Sequence, residues 1–564
     1  MASPSPSILA ASALACAAAC AGAAALTGAN PPEPRFMAPE AVTVAAFSAP
    51  DAVRLAKQAT FGPTPALIAH MSQVGPAAWL DEQFALAESG YQDIIADRNI
   101  PQSYCRSKSG SEAASCKATY WQSTPVAMRF YADAVMRNDQ LRQRVALALA
   151  ELLVVANQDI DSTAGLATYH QLLLDNAFGN YRDLLKAVTL NAYMGDYLDM
   201  AGSTKASPNE NYARELMQLF SIGEDMLNLD GSLKLDVQGA PIPAYTGSDV
   251  HEVARALTGW TCVRFPGASP KDKSRIDYTQ RMIRSASDYD ADAKSFLGVT
   301  VPAQASQSAS VDAVVDAVFN HPNVAPYVSK SLIQQLVVSN PTPAYVERVA
   351  RVFADNGQGV RGSMRSVVRA ILLDPEARGD RLAAIEGKVK EPVLLAVALA
   401  RAIGMTTDGY VFTTRDGVMG QPLWSAPSVF NFYPPDYPLP LGAPLVSPPS
   451  KLLTTAADVG RHNLVYDWTV EGDADRKEFK PHTQSATGTK PLWADWEAAA
   501  ADVEGLMDRV NLLLLGNGMS ATQRSAMRGA LTAIVNKNAT TQARQRAQTA
   551  LYLAASSPLF QVDR

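Results

Sequence analysis

The chain has 564 residues, 47% hydrophobic and 18% charged, with a formal net charge of -6, which is ample apolar material for a large buried core. Its 49 basic side chains are scattered and form no stripe of the kind a phosphate backbone needs, so nucleic acid is excluded as an expected partner. The six histidines make no ligand-spaced cluster, and there is no GxSxG elbow, no GxxxxGK[ST] loop and no CxxC beyond the leader; the sequence therefore offers no metal site and no familiar nucleophile or phosphate motif.

At the N-terminus, ILAASALACAAACAGAAAL (8–26) is an uncharged, apolar run before a Pro-rich stretch. It reads as a secretory signal over 1–29, with Thr27, Gly28 and Ala29 as the small-residue cleavage site. Cys16 and Cys20 leave a lipoprotein-type leader open. Residues 30–50 read as a linker and 51–564 as a single large helical domain. Cys105 and Cys116 flank a Ser/Gly-rich polar loop, and in an oxidising compartment a disulfide would close it.

The fold class is mainly α: a multi-helix globular body with long Pro-rich loops and a small β-hairpin. Apolar residues three and four apart predict helices in DAVRLAKQATFG, PAAWLDEQFALAE, QLRQRVALALAELLVVANQ, YRDLLKAVTL, YVERVARVFADNG, SMRSVVRAILLD and ADVEGLMDRVNLLLLGNG. VALALAELLVVA is interrupted by Glu151 and PVLLAVALARAIG by Arg401; both are too short to span a membrane and read as buried helices. MLNLDGSLKLD (226–236) alternates leucines around Asp230-Gly231, the mark of an exposed hairpin. NGQGVRGS has GxGxxG spacing but lies between two helical segments, so it reads as a helix-helix turn and not a dinucleotide fingerprint. The proline-rich stretch 430–450 cannot be helix and should lie extended, and a second irregular stretch covers 471–490.

Two stretches concentrate polar residues. In SPNENYARELMQLFSIG (207–223), Ser207, Pro208 and Glu210 fit the N-cap, N1 and N3 positions of a capping box. Tyr212, Leu216, Leu219 and Phe220 share an apolar face, while Asn211, Glu215 and Gln218 line up beside a Glu210–Arg214 pair. In YTGSDVHEVARALTGW (245–260), Thr246 and Asp249 make a second box, and Glu252 and Arg255 flank the apolar stripe. HEVAR lacks the second histidine of a zinc protease. If the two helices pack, Glu215 and Arg214 would face Arg255 and Glu252. Such a set is either an ion network bracing two helices or a ligand or catalytic site, and sequence alone leaves both open.

NENYARELMQLFSIG followed by DVHEVARALTGW resembles the signature of the bacterial domain of unknown function, family 1800. The resemblance continues through RLAKQATFGPTPALI, YRDLLKAVTLNAYMGDYLD, GKVKEPV, GQPLWSAPSVFNF and RAQTALYLAASSPLFQVDR. One departure is SDYDADAKSFLG, where Tyr289 precedes Asp290 and many members have a histidine. The resemblance implies an exported, mainly helical protein, often encoded beside an exported sulfatase-like protein, and it implies no activity and no cofactor.

The leading expectation is a binding or scaffolding role at the cell envelope, periplasmic or extracellular, with that sulfatase-like neighbour as the candidate partner. The second is a hydrolase using Glu215 and Glu252 at a cleft, with Asn211, Arg214 and Arg255 in the same site. Asn209, Gln218, Asp249, Trp260 and Tyr433 are the further binding candidates. The third is a carbohydrate-binding surface built on Phe430, Phe432, Tyr433 and Tyr437, aromatics beside prolines.

Overall fold

A computed structural model describes residues 47–563 apart from 88, 158–159, 270–271, 380–386, 440–444 and 485. The expected leader, its cleavage site, Cys16 and Cys20 lie outside the described residues. Among those described there are 26 α-helices and three two-stranded antiparallel sheets, so the mainly α reading holds. No helix among them is long and apolar enough to cross a membrane.

The predicted helices form with small shifts in their bounds. The first runs Ala49–Ala59, starting within the last two residues of the expected linker, because Ser48 and Asp51 make a capping box there. Gln140–Leu152 is buried along most of its length and packs against Val324–Leu336 and Thr163–Asn176. Pro392–Ile403 is buried at every position and stops at Gly404, whose φ of 82° is the left-handed conformation that suits glycine. The GxGxxG stretch is a turn between Pro343–Ala354 and Met364–Leu373, as its flanks require.

Three local expectations need correction. The segment between the cysteines is not a polar loop. It folds as two short helices, Gln102–Arg106 and Gly110–Tyr120, and the Cys105–Cys116 disulfide ties them together with Cα atoms 5.5 Å apart. The hairpin at 226–236 is part of a longer meander, with bridges Asp225↔Pro243, Leu227↔Leu233 and Leu235↔Pro241. Its first turn is the Asp-Gly one, where Asp230 accepts from Ser232 N at 2.9 Å. The described part of the proline-rich stretch runs through turns and bends with one bridge, Pro438↔Val446, and Pro448–Leu452 is a 3-10 turn, since proline fits a first helical turn where no amide is needed.

A short sheet ties the end of the chain into the core. Lys388–Val389 pairs with Val562–Asp563, in the register Lys388↔Asp563 and Val389↔Val562. Lys390 Nζ reaches Asp563 Oδ1 at 2.6 Å, and Lys57 Nζ lies 3.6 Å from the same oxygen. Burial, then the neighbouring Lys390, pushes the Lys57 ammonium down to about 8.

His170, on the helix Thr163–Asn176, is completely buried between Tyr91, Phe130 and Trp424, with neither ring nitrogen hydrogen-bonded. Burial lowers its pKa to about 3. Between 6.5 and 3 the unfolded chain takes up a proton that the folded chain refuses, so stability is lost as pH falls, at about 1.4 kcal/mol per pH unit. Asp416, raised by burial to about 6, acts in the opposite sense: the folded chain keeps its proton and is stabilised as pH falls below that value. His170→Leu isolates the histidine. Urea unfolding at pH 7, 5 and 4 should show the variant losing less stability on acidification than the wild type, and parallel losses would assign His170 an ordinary titration.

Candidate functional site

The expected capping box at Ser207 is absent. The helix starts at Asn211, with Glu210 at the N-cap and no side-chain cap. Backbone and side-chain bonds upstream explain this: Ser207 N closes a turn on Thr204 O, Ser203 Oγ takes Asn209 N at 3.0 Å, and Asn209 Oδ1 takes Asn211 N at 2.9 Å. The Ser207 amide that a capping-box glutamate would accept from is thus already bonded to Thr204, and the chain up to Glu210 is held in turns before the helix begins. The box at Thr246 and Asp249 does form, and Asp249 also accepts from Leu297 N at 2.8 Å.

The two signature helices, Asn211–Gln218 and Gly247–Ala256, pack on each other, but their charges do not meet as expected. Arg214 is half exposed and pairs with Glu210 at 3.2 Å, and Glu210 also reaches His251 Nδ1 at 3.1 Å. Arg255 turns away from Glu215, to Glu252 and Asp290, both at 2.8 Å. Buried Lys294 closes that group on Asp290. Gln218 donates to Glu224 at 2.6 Å. Asn211 reaches Asp199 at 3.5 Å, and Asn209 lines an open polar basin of about 730 Å³. Trp260 is buried, its backbone oxygen accepting from Gly202. Glu215 is nine-tenths buried with Oε2 unpartnered, and burial raises its pKa against the pull of Arg214. Arg214→Ala is thus expected to cost under about 1 kcal/mol. Arg255→Ala, which strands two largely buried carboxylates, should cost about 2 kcal/mol. Thermal melts of the two variants check the contrast, and equal losses would contradict it.

The stronger constellation lies elsewhere. The helix Gln140–Leu152 brings Arg144 and Glu151, the strand Lys388–Val389 brings Lys388, and Glu391 caps the buried helix Pro392–Ile403. Glu391 is completely buried. Lys388 Nζ donates to Glu391 Oε1 at 3.0 Å and to Gln335 O at 2.6 Å, and Arg144 Nη2 donates to the same carbonyl at 2.6 Å. The amide nitrogen of Gln421 touches both carboxyls, at 2.9 Å to Glu391 Oε2 and 3.4 Å to Glu151 Oε1.

The surroundings of these two carboxyls push them in opposite directions. Burial raises the Glu151 pKa well above the carboxylate range, and the neighbouring Glu391 charge raises it further. Burial would raise Glu391 too, but Lys388, the hydrogen bond from Glu151, Arg144 and Gln421 outweigh it and hold Glu391 ionised. Were both ionised, Glu151 Oε2 would be buried with no donor facing it; a proton kept on Glu151 supplies the hydrogen that Glu391 accepts. Environments that push paired carboxyls apart assign them different roles.

Glu151 opens on a cleft of about 80 Å³ whose wall includes Leu152, Val154, Leu332, Lys388, Asn431 and Tyr433. Tyr433 is buried, and burial, then the neighbouring Glu151 and Glu391 charges and a hydrogen bond to Glu391, hold its phenol protonated. That burial removes it from any exposed aromatic platform, and Phe432 and Tyr437 are half buried, so only Phe430 of the four stands out into solvent. No His/Cys/Asp/Glu group suited to a metal is found among the described residues.

The family described as Protein of unknown function (DUF1800) matches residues 54–562. The chain belongs to this family. No curated protein and no solved structure matches it. Within the family match lie both GKVKEPV, which carries Lys388 and Glu391, and GQPLWSAPSVFNF, which carries Gln421 and Asn431. Neither segment points to a site by residue type alone. The one available signal is Glu151, the lone charge in the apolar run VALALAELLVVA.

Proposed function

We propose that this member of the family is an exported hydrolase, with Glu151 as its working acid-base group. What supports the reading is the Glu151 carboxyl at the wall of a cleft, joined through the Gln421 amide to the buried Glu391 behind it. A carboxyl held above its ordinary range takes a proton from water when ionised and returns it to a leaving group afterwards, the exchange that general acid-base catalysis needs. Glu391 sits behind and does not line the cleft, so its part is to hold and tune Glu151. Lys388 and Gln421 keep Glu391 in place. The signature helices, whose ion pairs close on themselves, brace the body. Export is supported by the apolar leader sequence together with the Cys105–Cys116 disulfide.

The test is hydrolysis of chromogenic esters, anilides, glycosides and phosphates by the full chain across pH. At least one class should be turned over, with a rate that rises along a limb displaced above the ordinary carboxylate range. Glu391→Gln should move that limb down, because the like charge beside Glu151 is gone. Absence of turnover in every class, with retained binding to an exported sulfatase-like partner, would make the chain an envelope scaffold instead.

A further inference from the structure

Gln421 is buried, and the two ends of its amide are fixed by different neighbours. Its Oε1 accepts from Val393 N at 3.2 Å. That amide is one of the free donors in the first turn of the helix Pro392–Ile403, which has no side-chain cap. With Oε1 so engaged, Nε2 has to face the carboxyls, and it gives its hydrogens to Glu391 and Glu151. Turning the amide over would set a donor against a donor.

What holds Gln421 there is Asp416, at the foot of the same loop. From Asp416 the chain runs out to solvent at Gly417 and Val418 and is buried again at Gln421. It turns at Gly420, whose φ of 88° suits glycine. Asp416 ties both ends of that excursion. Its Oδ1 accepts from Gly417 N at 2.6 Å, its backbone oxygen from Gln421 N at 2.9 Å, and its Oδ2 from Leu423 N at 3.4 Å. Tyr131, on the helix Thr124–Met136, donates to the same Oδ2 at 3.4 Å. The neighbouring Arg415 is turned to Asp467 and Glu478, and no salt bridge to Asp416 is found among the described residues. Three donors thus converge on one buried carboxylate. An ionised acceptor bonds roughly twice as strongly as a neutral one, and a protonated carboxyl turns one of its oxygens into a donor. Protonation therefore costs the loop a tie.

Resting on the reading of Glu151 as the group that exchanges a proton, we infer that Asp416 is a positioning residue and a pH-sensitive latch for this site: ionised, it holds Gln421 across both carboxyls, and protonated, it slackens the loop and withdraws the Gln421 hydrogen from Glu151. Glu151 is also faced by Glu391, Lys388, Arg144 and Tyr433. All of these stand on elements outside the loop, so moving the loop changes the Gln421 bond and leaves them in place. Loss of that bond costs the doubly ionised pair more than the singly protonated one, because both carboxylates then need donors. Without Gln421, Glu151 gives up its proton at a higher pH. Burial pushes Asp416 up to about 6, so the latch works in mild acid.

Infrared difference spectra of the full chain, wild type against Glu151→Gln, isolate the protonated Glu151 band, follow it with pH and need no substrate. Gln421→Met should raise the midpoint of that band by about one pH unit, the worth of one hydrogen bond to a carboxylate. Asp416→Asn, which puts an NH2 where an acceptor stood, should raise it likewise, and the double variant should go no further than Gln421→Met alone. The wild-type band should also move to higher frequency as pH falls through the Asp416 titration, a measurement that decides the matter if Asp416→Asn does not fold. A lowered melting temperature in Asp416→Asn with the midpoint unmoved, or shifts that add in the double variant, overturn the inference. So does a wild-type band that ignores the Asp416 titration, or the absence of any protonated Glu151 band. If the band behaves as expected while no ester, anilide, glycoside or phosphate is turned over, the latch stands and the hydrolase reading falls. Turnover whose pH limb is indifferent to Asp416→Asn does the reverse.

Discussion

A chain carrying Glu151→Gln and Glu391→Gln together is expected to lose about 3–5 kcal/mol of stability, more than the two single changes combined. Lys388 and Arg144 are buried cations, 5% and 1% exposed, and the Glu391 carboxylate is the anion nearest Lys388. With Glu391→Gln alone, Glu151 loses its like-charged neighbour and ionises in its place, so the cations keep a counter-charge and the loss stays under about 2 kcal/mol. With Glu151→Gln alone, Glu391 keeps its partners and the new amide supplies a hydrogen in place of the Glu151 proton. Only the double change leaves two buried cations with no anion. Urea unfolding of the four chains gives the cycle, and additive losses would show that the carboxyls do not share a proton.

Glu151→Gln alone is expected to lower turnover about a hundred- to ten-thousand-fold, the range for removing a general acid-base group, with melting unchanged or raised. The two effects part company because the raised carboxyl is held against its own solvation, and an uncharged amide relieves that cost. Between its ordinary pKa of 4.5 and its raised folded value, the folded chain holds a proton that the unfolded chain releases. Wild-type stability therefore falls across that window as pH rises, and the variant should lack that loss. A variant that melts early and loses activity in proportion would mark Glu151 as structural.

Local periodicity makes the helices legible in the sequence, and the Thr246–Asp249 cap can be read because all its parts lie within four residues. The Ser207 cap fails for a reason outside the motif: Thr204 takes the Ser207 amide that the box glutamate would have used. Arg255 pairs with Glu215 on helical spacing alone, because both lie on helices that pack together. Its real partner, Asp290, comes from a loop that no helical pattern announces. Glu151 is visible as an interruption in an apolar run, but its meaning depends on Glu391, far along the chain on another buried helix. Helical spacing brings neighbours three and four residues apart onto one face. It says nothing about which two faces meet.

The antiparallel pairing of Lys388–Val389 with Val562–Asp563, and the salt bridges from Asp563 to Lys390 and Lys57, join three segments that emerge from the ribosome at widely separated times. Lys390 and Lys57 wait, uncompensated, until residue 563 arrives, and until then the strand bearing Lys388 has no partner to fix its register. Contacts between segments so far apart in sequence form late. Lys388 and Glu391, which flank that pairing, therefore take their final places only after residues 562–563 have joined the strand.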